Sequence, residues 1–292
     1  MDIMKLSNEG DLADLYQRFM QAHPIQSTYV ADTHCWAWLD SRVGCETVII
    51  LPGFMGEAET SFLYVLALET HFRLISLTYP PSVGHIETLC DGLVAFMDEL
   101  KILQATILGG SSSGFVAQAF VRRHPSRVSA LILTHTGLPD PGRAHTARFY
   151  LLVLRLLPFG LLRWLMQVSV FGYFPGQASS HVFWRRHFSA IIHHQSREAL
   201  LNRFALMNDF HSNYRFRPAD LAGWRGNVLI MEMSRDHLTT PTEQTAMREL
   251  YPQARLHIFS ESAHYDAVEH PDDQILVIKE FLLNPEATIH VE

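Results

Sequence analysis

The chain has 292 residues, of which 48% are hydrophobic and 18% charged, a balance that excludes disordered, collagen-like and low-complexity proteins and allows one large α/β domain or two smaller ones. With 30 acidic against 23 basic side chains the formal net charge is −7; there is no basic field for a phosphate backbone, so nucleic acid is not an expected partner and small molecules are. Three cysteines without a C-x-x-C pair predict neither a disulfide framework nor a thiolate metal site, and a reducing cytoplasm is the expected compartment.

The opening MDIMKLSNEGDLADLYQRFM is polar and acidic and lacks the basic and apolar regions of a secretion signal. IQSTYV and HCWAWLD then read as an antiparallel pair with Trp36 and Trp38 on one face. TVIILPGF is a continuous apolar run ending in Pro-Gly, as expected of a strand buried on both faces. A helix near 60–71, the strand FRLISLTYP and the helical pattern HIETLCDGLVAFMDELKI follow. QATILGG is a strand, FVAQAFVRRH a helix, and RVSALILTHTG the next strand. From about 138 to 220 this alternation gives way to helical, aromatic-rich sequence. It resumes with NVLIMEMS, a helix near 241–250, the strand ARLHIFS and a helix near 271–283. The expected fold is a mostly parallel α/β sheet in residues 1–137 and 221–292, with residues 138–220 as a helical cap.

The most apolar stretch, residues 149–174, is interrupted by Arg155, Pro158, Gly160 and Arg163. Charges at a bilayer centre cost about 2.5 to 3.5 kcal/mol each. Two short amphipathic helices are therefore predicted rather than a span, and membrane contact, at the interface, is the lesser alternative.

The junction TILGGSSSGFVAQAF raises a chemical expectation. G-x-S-x-G occurs once, as Gly110-Ser111-Ser112-Ser113-Gly114, in the strand-turn-helix context that lifts its middle residue to a sheet edge. That frame makes Ser112 the candidate nucleophile. A serine hydroxyl is inert at neutral pH without a base, an acid to orient the base, and donors for the developing oxyanion. His264 follows the last strand and is the candidate base, with His270, at a helix start, as competitor. Asp236, past the preceding strand, is the candidate acid, with Asp140 as alternative. LPGFMG ends an early strand, which predicts the amides of Phe54 and Ser113 as oxyanion donors. Met55, His135, Trp164 and Trp184 are candidate pocket residues. His181, His187, His193 and His194 are not spaced as metal ligands, so no metal or other cofactor is expected.

With LPGFMG, GGSSSG, SRDHLTTP and SAHYDAVEHPD in this order, residues 26–284 resemble the α/β-hydrolase family; RLISLTYP, CDG and LYPQAR resemble its maspardin branch. The resemblance implies an eight-stranded sheet with helices on both faces, and a lid in which Phe149, Tyr150, Trp164, Phe171, Tyr173, Phe174, Phe183 and Trp184 cover the serine. It implies hydrolysis of a carboxylic ester of a small or medium apolar substrate. The alternatives are carbon-carbon bond hydrolysis or cofactor-free peroxidation by the same residues, and a non-catalytic binding protein like the animal maspardins. Those lack the histidine that this chain has as His264. The family's usual His-Gly before the oxyanion loop is Pro52-Gly53 here.

Overall fold

The computed structural model describes residues 9–30, 34–265, 268 and 271–284. His270 lies outside the described residues. A helix that the sequence reading did not foresee, α1 (Glu9–Ala22), comes first.

Strands β1 (Gln26–Val30), β2 (His34–Asp40), β3 (Thr47–Ile50), β4 (Arg73–Thr78), β5 (Ala105–Gly110), β6 (Val128–Thr134), β7 (Asn227–Met233) and β8 (Arg255–Phe259) form one sheet in the order β1-β2-β4-β3-β5-β6-β7-β8. The β1–β2 and β2–β4 pairs are antiparallel and the other five are parallel. Trp36 and Trp38 are buried against Phe96, as two apolar residues at strand spacing should be.

The alternation along each central strand divides the core. Leu74, Leu108, Ile132 and Met231 face one side, under α1, helix α2 (Phe62–Leu68) and the last helix, Asp272–Leu283. Ile75, Ile107, Leu131 and Ile230 face the other, under α3 (Ile86–Glu99) and α4 (Ser112–Arg123). Both faces being covered explains why these strands read as continuous apolar runs.

β6 and β7 are neighbours in the sheet, yet between them the chain forms four helices: α5 (Pro141–Leu156), α6 (Phe159–Tyr173), α7 (Ser179–His194) and α8 (Arg197–Asn213). The α5–α6 break falls at Leu157-Pro158, where proline's ring and missing N–H forbid continuation. No helix among the described residues is long and apolar enough to cross a membrane. Because β4 and β5 lie on opposite sides of β3, the strand order reverses there, and a crevice opens at the carboxyl ends of β3 and β5.

Candidate active site

β5 ends at Gly110, and the chain enters α4 through one residue, Ser111, at φ 52° and ψ −125°. A positive φ in a side-chain-bearing residue is strained and persists only where its surroundings enforce it. Here the Ser111 amide donates to the Thr134 carbonyl at 3.0 Å, and Thr136 Oγ1 donates to the Ser111 carbonyl at 2.7 Å. The turn also needs bare backbone: a Cβ on Gly109 would lie 2.7 Å from the Ser113 carbonyl oxygen, and one on Gly114 2.4 Å from Thr136 Oγ1.

This geometry corrects the expected register by one residue. Ser111, not Ser112, meets the histidine: its hydroxyl donates to Nε2 of His264 across 3.0 Å. The frame that folds is Gly109-Gly110-Ser111-Ser112-Ser113, with Ser113 where the motif has its second glycine. Ser113 fits because its small side chain turns inward: it is fully buried, donates to the Gly110 carbonyl at 2.8 Å and accepts from the Gly110 amide at 2.9 Å. The expected oxyanion donor moves with the register, because the amide that follows the serine at the imidazole is that of Ser112, not Ser113. Ser112 is the first residue of α4, where an amide has no carbonyl one turn back to bond.

The imidazole of His264 is buried, and its Nδ1–H donates to Oδ2 of Asp236 at 2.8 Å. That bond fixes the tautomer, since a carboxylate only accepts, and leaves Nε2 as acceptor for Ser111. Oδ1 of Asp236 accepts from the amides of Leu238 (2.7 Å) and Thr239 (3.1 Å). Burial works to raise the Asp236 pKa, but the hydrogen bond and charge of His264 and these two amides together hold it below its ordinary value. The alternative acid, Asp140, instead caps α5 by accepting from the Gly142 amide at 2.7 Å.

Phe54, on the loop after β3, lines the same cavity as Ser111, Ser112 and His264, and its ring meets Phe204 of α8 edge-on at 4.7 Å. The cavity has a volume of about 410 Å³. Met55, His135 and Trp184 line it, together with Tyr173, Phe188 and Tyr265. His135 stands edge-on to His264 at 4.5 Å, and burial, reinforced by the His264 charge, drives its pKa well down, so it stays neutral. Trp164 is a correction: it is 56% exposed and does not line the cavity. α6 buries Leu162, Met166 and Val170, and Trp164 falls on the opposite side of the helix. Phe149, Tyr150 and Phe171 are likewise exposed, so half of the eight aromatics expected over the serine face outward.

One residue escaped the sequence reading. Arg203 of α8, buried, donates from Nη1 to the Gly53 carbonyl at 3.1 Å and so ties the loop carrying Phe54 from 150 residues away. It also borders a small enclosed space shared with Gly53, Phe54 and Ser112. No local pattern marks an arginine inside a helix for such a task.

A family model described as the alpha/beta hydrolase fold matches residues 46–271. Human maspardin is 33% identical over 128 residues, covering 41% of this chain and 41% of the human protein. Rat maspardin is 34% identical over 125 residues, 40% of this chain and 48% of the rat protein. The chain thus spans less than half the length of the curated relatives it matches. A thermophilic esterase from Thermogutta terrifontis superimposes with a TM-score of 0.71 at 21% identity, over 90% of this chain and 99% of the esterase. A hydrolase from Pseudomonas aeruginosa does so with a TM-score of 0.70 at 18% identity, over 89% and 98%. Both likenesses are to the fold.

Proposed function

The chain belongs to the α/β-hydrolase fold family, and on that premise we propose that it is a serine hydrolase that cleaves carboxylic esters of small or medium apolar substrates through an acyl-enzyme. The observation that carries the reading is the continuous chain from Asp236 through His264 to Ser111, with links of 2.8 and 3.0 Å.

In this reading Ser111 Oγ attacks the ester carbonyl while His264 Nε2 takes its proton, and Asp236 stabilises the imidazolium. The amides of Phe54 and Ser112 receive the oxyanion; loss of one such donor costs about 3 kcal/mol in the barrier. His264 returns the proton to the leaving alcohol, and the same nitrogen then activates the water that releases the acid. Residues 138–220 act as the cap and supply Tyr173, Trp184 and Phe188 to an apolar acyl or aryl group, over a core drawn from the described residues of 1–137 and 221–292. The maspardin relatives favour a second reading, a binding protein on the same fold. The linked serine, histidine and aspartate weigh against it, because binding alone needs no such alignment.

A fluorophosphonate probe tests the proposal. Wild type is expected to be labelled and to hydrolyse p-nitrophenyl acetate. Ser111→Ala is expected to lose labelling and to lose turnover by a factor of at least about 10³. A wild-type chain inert to the probe and to a panel of acyl esters would support the binding protein instead.

A further inference from the structure

The outer faces of α5 and α6 are apolar in a pattern that normally points into a core. Along α5, Phe149, Leu152, Val153 and Leu156 recur at i, i+3, i+4 and i+7, and all four are exposed. They lie opposite Leu151, the buried residue of that helix. Along α6, Leu161, Trp164, Leu165 and Val168 repeat the spacing, again exposed and opposite Leu162, Met166 and Val170. Leu156, at the junction, is 85% exposed. Arg197 holds that junction by donating to the Arg155 and Leu157 carbonyls at 2.6 and 3.1 Å, so the exposure does not come from a loose end. Apolar surface of this extent marks an interaction site.

Charge says with what. Between Asp140 and Glu198 there is no acidic residue and there are seven arginines, in a chain whose acidic residues outnumber the basic ones 30 to 23. Arg148 and Arg155, seven residues apart and both exposed, flank the α5 stripe, and among the described residues neither meets a carboxylate. Arg163 lays its guanidinium 4.3 Å over the Phe159 ring. An apolar face with two arginines beside its α5 stripe, and no acidic residue between Asp140 and Glu198, matches the interface of a bilayer with anionic headgroups. A second copy of the same face would oppose arginine to arginine across a two-fold axis, which disfavours self-association through it.

We infer that the outward faces of α5 and α6 form a docking surface for anionic lipid bilayers, with the aromatic and aliphatic stripes seated at the headgroup boundary and the flanking arginines on the lipid phosphates. Docking is peripheral, since neither helix can span. It is also coupled in space to the cavity: α6 ends at Tyr173, which lines the cavity and packs 4.3 Å from Tyr265, next to His264. The surface does not depend on Ser111 or on catalysis.

Flotation of the full chain with phosphatidylcholine vesicles, with and without phosphatidylglycerol, tests this. Wild type is expected to float with the anionic vesicles, less with the neutral ones, and less again as salt is raised. Arg148→Gln with Arg155→Gln is expected to weaken anionic binding on the order of ten- to thirty-fold and leave neutral binding unchanged. Phe149→Ser with Leu156→Ser and Trp164→Ser is expected to abolish flotation with an unchanged melting temperature; should that variant unfold, the arginine pair decides. The inference is overturned if wild type ignores anionic vesicles at low salt or if both variants bind like wild type. It is equally overturned if light scattering finds a dimer that the apolar variant dissolves, which would give the face to a second copy.

Discussion

Ser111 and Ser112 are adjacent and chemically identical, yet the backbone gives them different tasks. Ser111 occupies the strained position and holds the bond to His264, whereas Ser112 has entered the helix. Ser112→Ala is therefore expected to keep turnover within about ten-fold of wild type, because it retains the amide, while Ser111→Ala removes turnover. The same ester assay on both variants decides the register; the reverse outcome restores the frame centred on Ser112. In the proposed mechanism Arg203 acts through its bond to the Gly53 carbonyl, as a positioning residue. Arg203→Met is expected to lower kcat about ten-fold with little change in KM, since a displaced Phe54 amide weakens the transition state more than the ground state. Partial recovery in Arg203→Lys is the accompanying check, which a purely structural role would not produce.

At the scale of elements, the tight approach of α4 to the loop after β6 sets the serine at the sheet edge. Gly114 is what permits it, because a Cβ there would press on three atoms of Thr136 at 2.4 to 2.6 Å. Gly114→Ala is expected to lower stability by roughly 1 to 3 kcal/mol, as overpacking of a closed site does. Urea denaturation measures it, and an unchanged midpoint would mean that the helix shifts freely. The helices and strands themselves were largely legible: strand runs, turn residues and the break at Pro158 all carry local signals. The outward aromatics of α5 and α6 were not. A stripe at helical spacing looks the same in sequence whether it faces a cavity or solvent, so Trp164 was expected in the pocket and lies outside it.

Across the whole molecule, Glu59 sits where the N-terminal helix meets the short turn Ala58–Ser61 and, through Tyr16, the ring of His187 in α7. It is 9% exposed, and burial, with the Glu57 charge adding, pushes its pKa up to about 7 against the opposing pull of its own backbone hydrogen bond. The folded chain thus holds this proton more tightly than the unfolded one. The stabilisation is fully present below about pH 4.5 and is lost as pH rises through about 7, a span worth on the order of 3 kcal/mol. His187 runs the other way, since burial lowers its pKa to about 4, and so must be cancelled. Subtracting the stability curve of Glu59→Gln from that of wild type does so. The difference is expected to turn against wild type between about pH 4.5 and about pH 7 and to level off above that, and a flat difference would place the carboxylate in contact with water.

Sequence by itself determined the sheet with its covered faces, the order serine, aspartate, histidine along the chain, and the loops on which Phe54, Asp236 and His264 stand. These follow from local patterns: apolar runs, punctuation by glycine and proline, and residue types at strand ends. Only tertiary structure decided which of three consecutive serines meets the imidazole, because the local pattern centres on Ser112 and does not show that Ser113 can fold where the motif has its second glycine. What selects Ser111 is the hold of Thr134 and Thr136 on its backbone, the fit of Gly114 against Thr136, and the close approach of Gly109 and Gly110 to Ser113. Tertiary structure alone also showed that Arg203 braces the loop after β3 and that the apolar stripes of α5 and α6 look outward. Contacts across 150 residues, and the direction a helix faces, depend on what packs beside it, which no local spacing encodes.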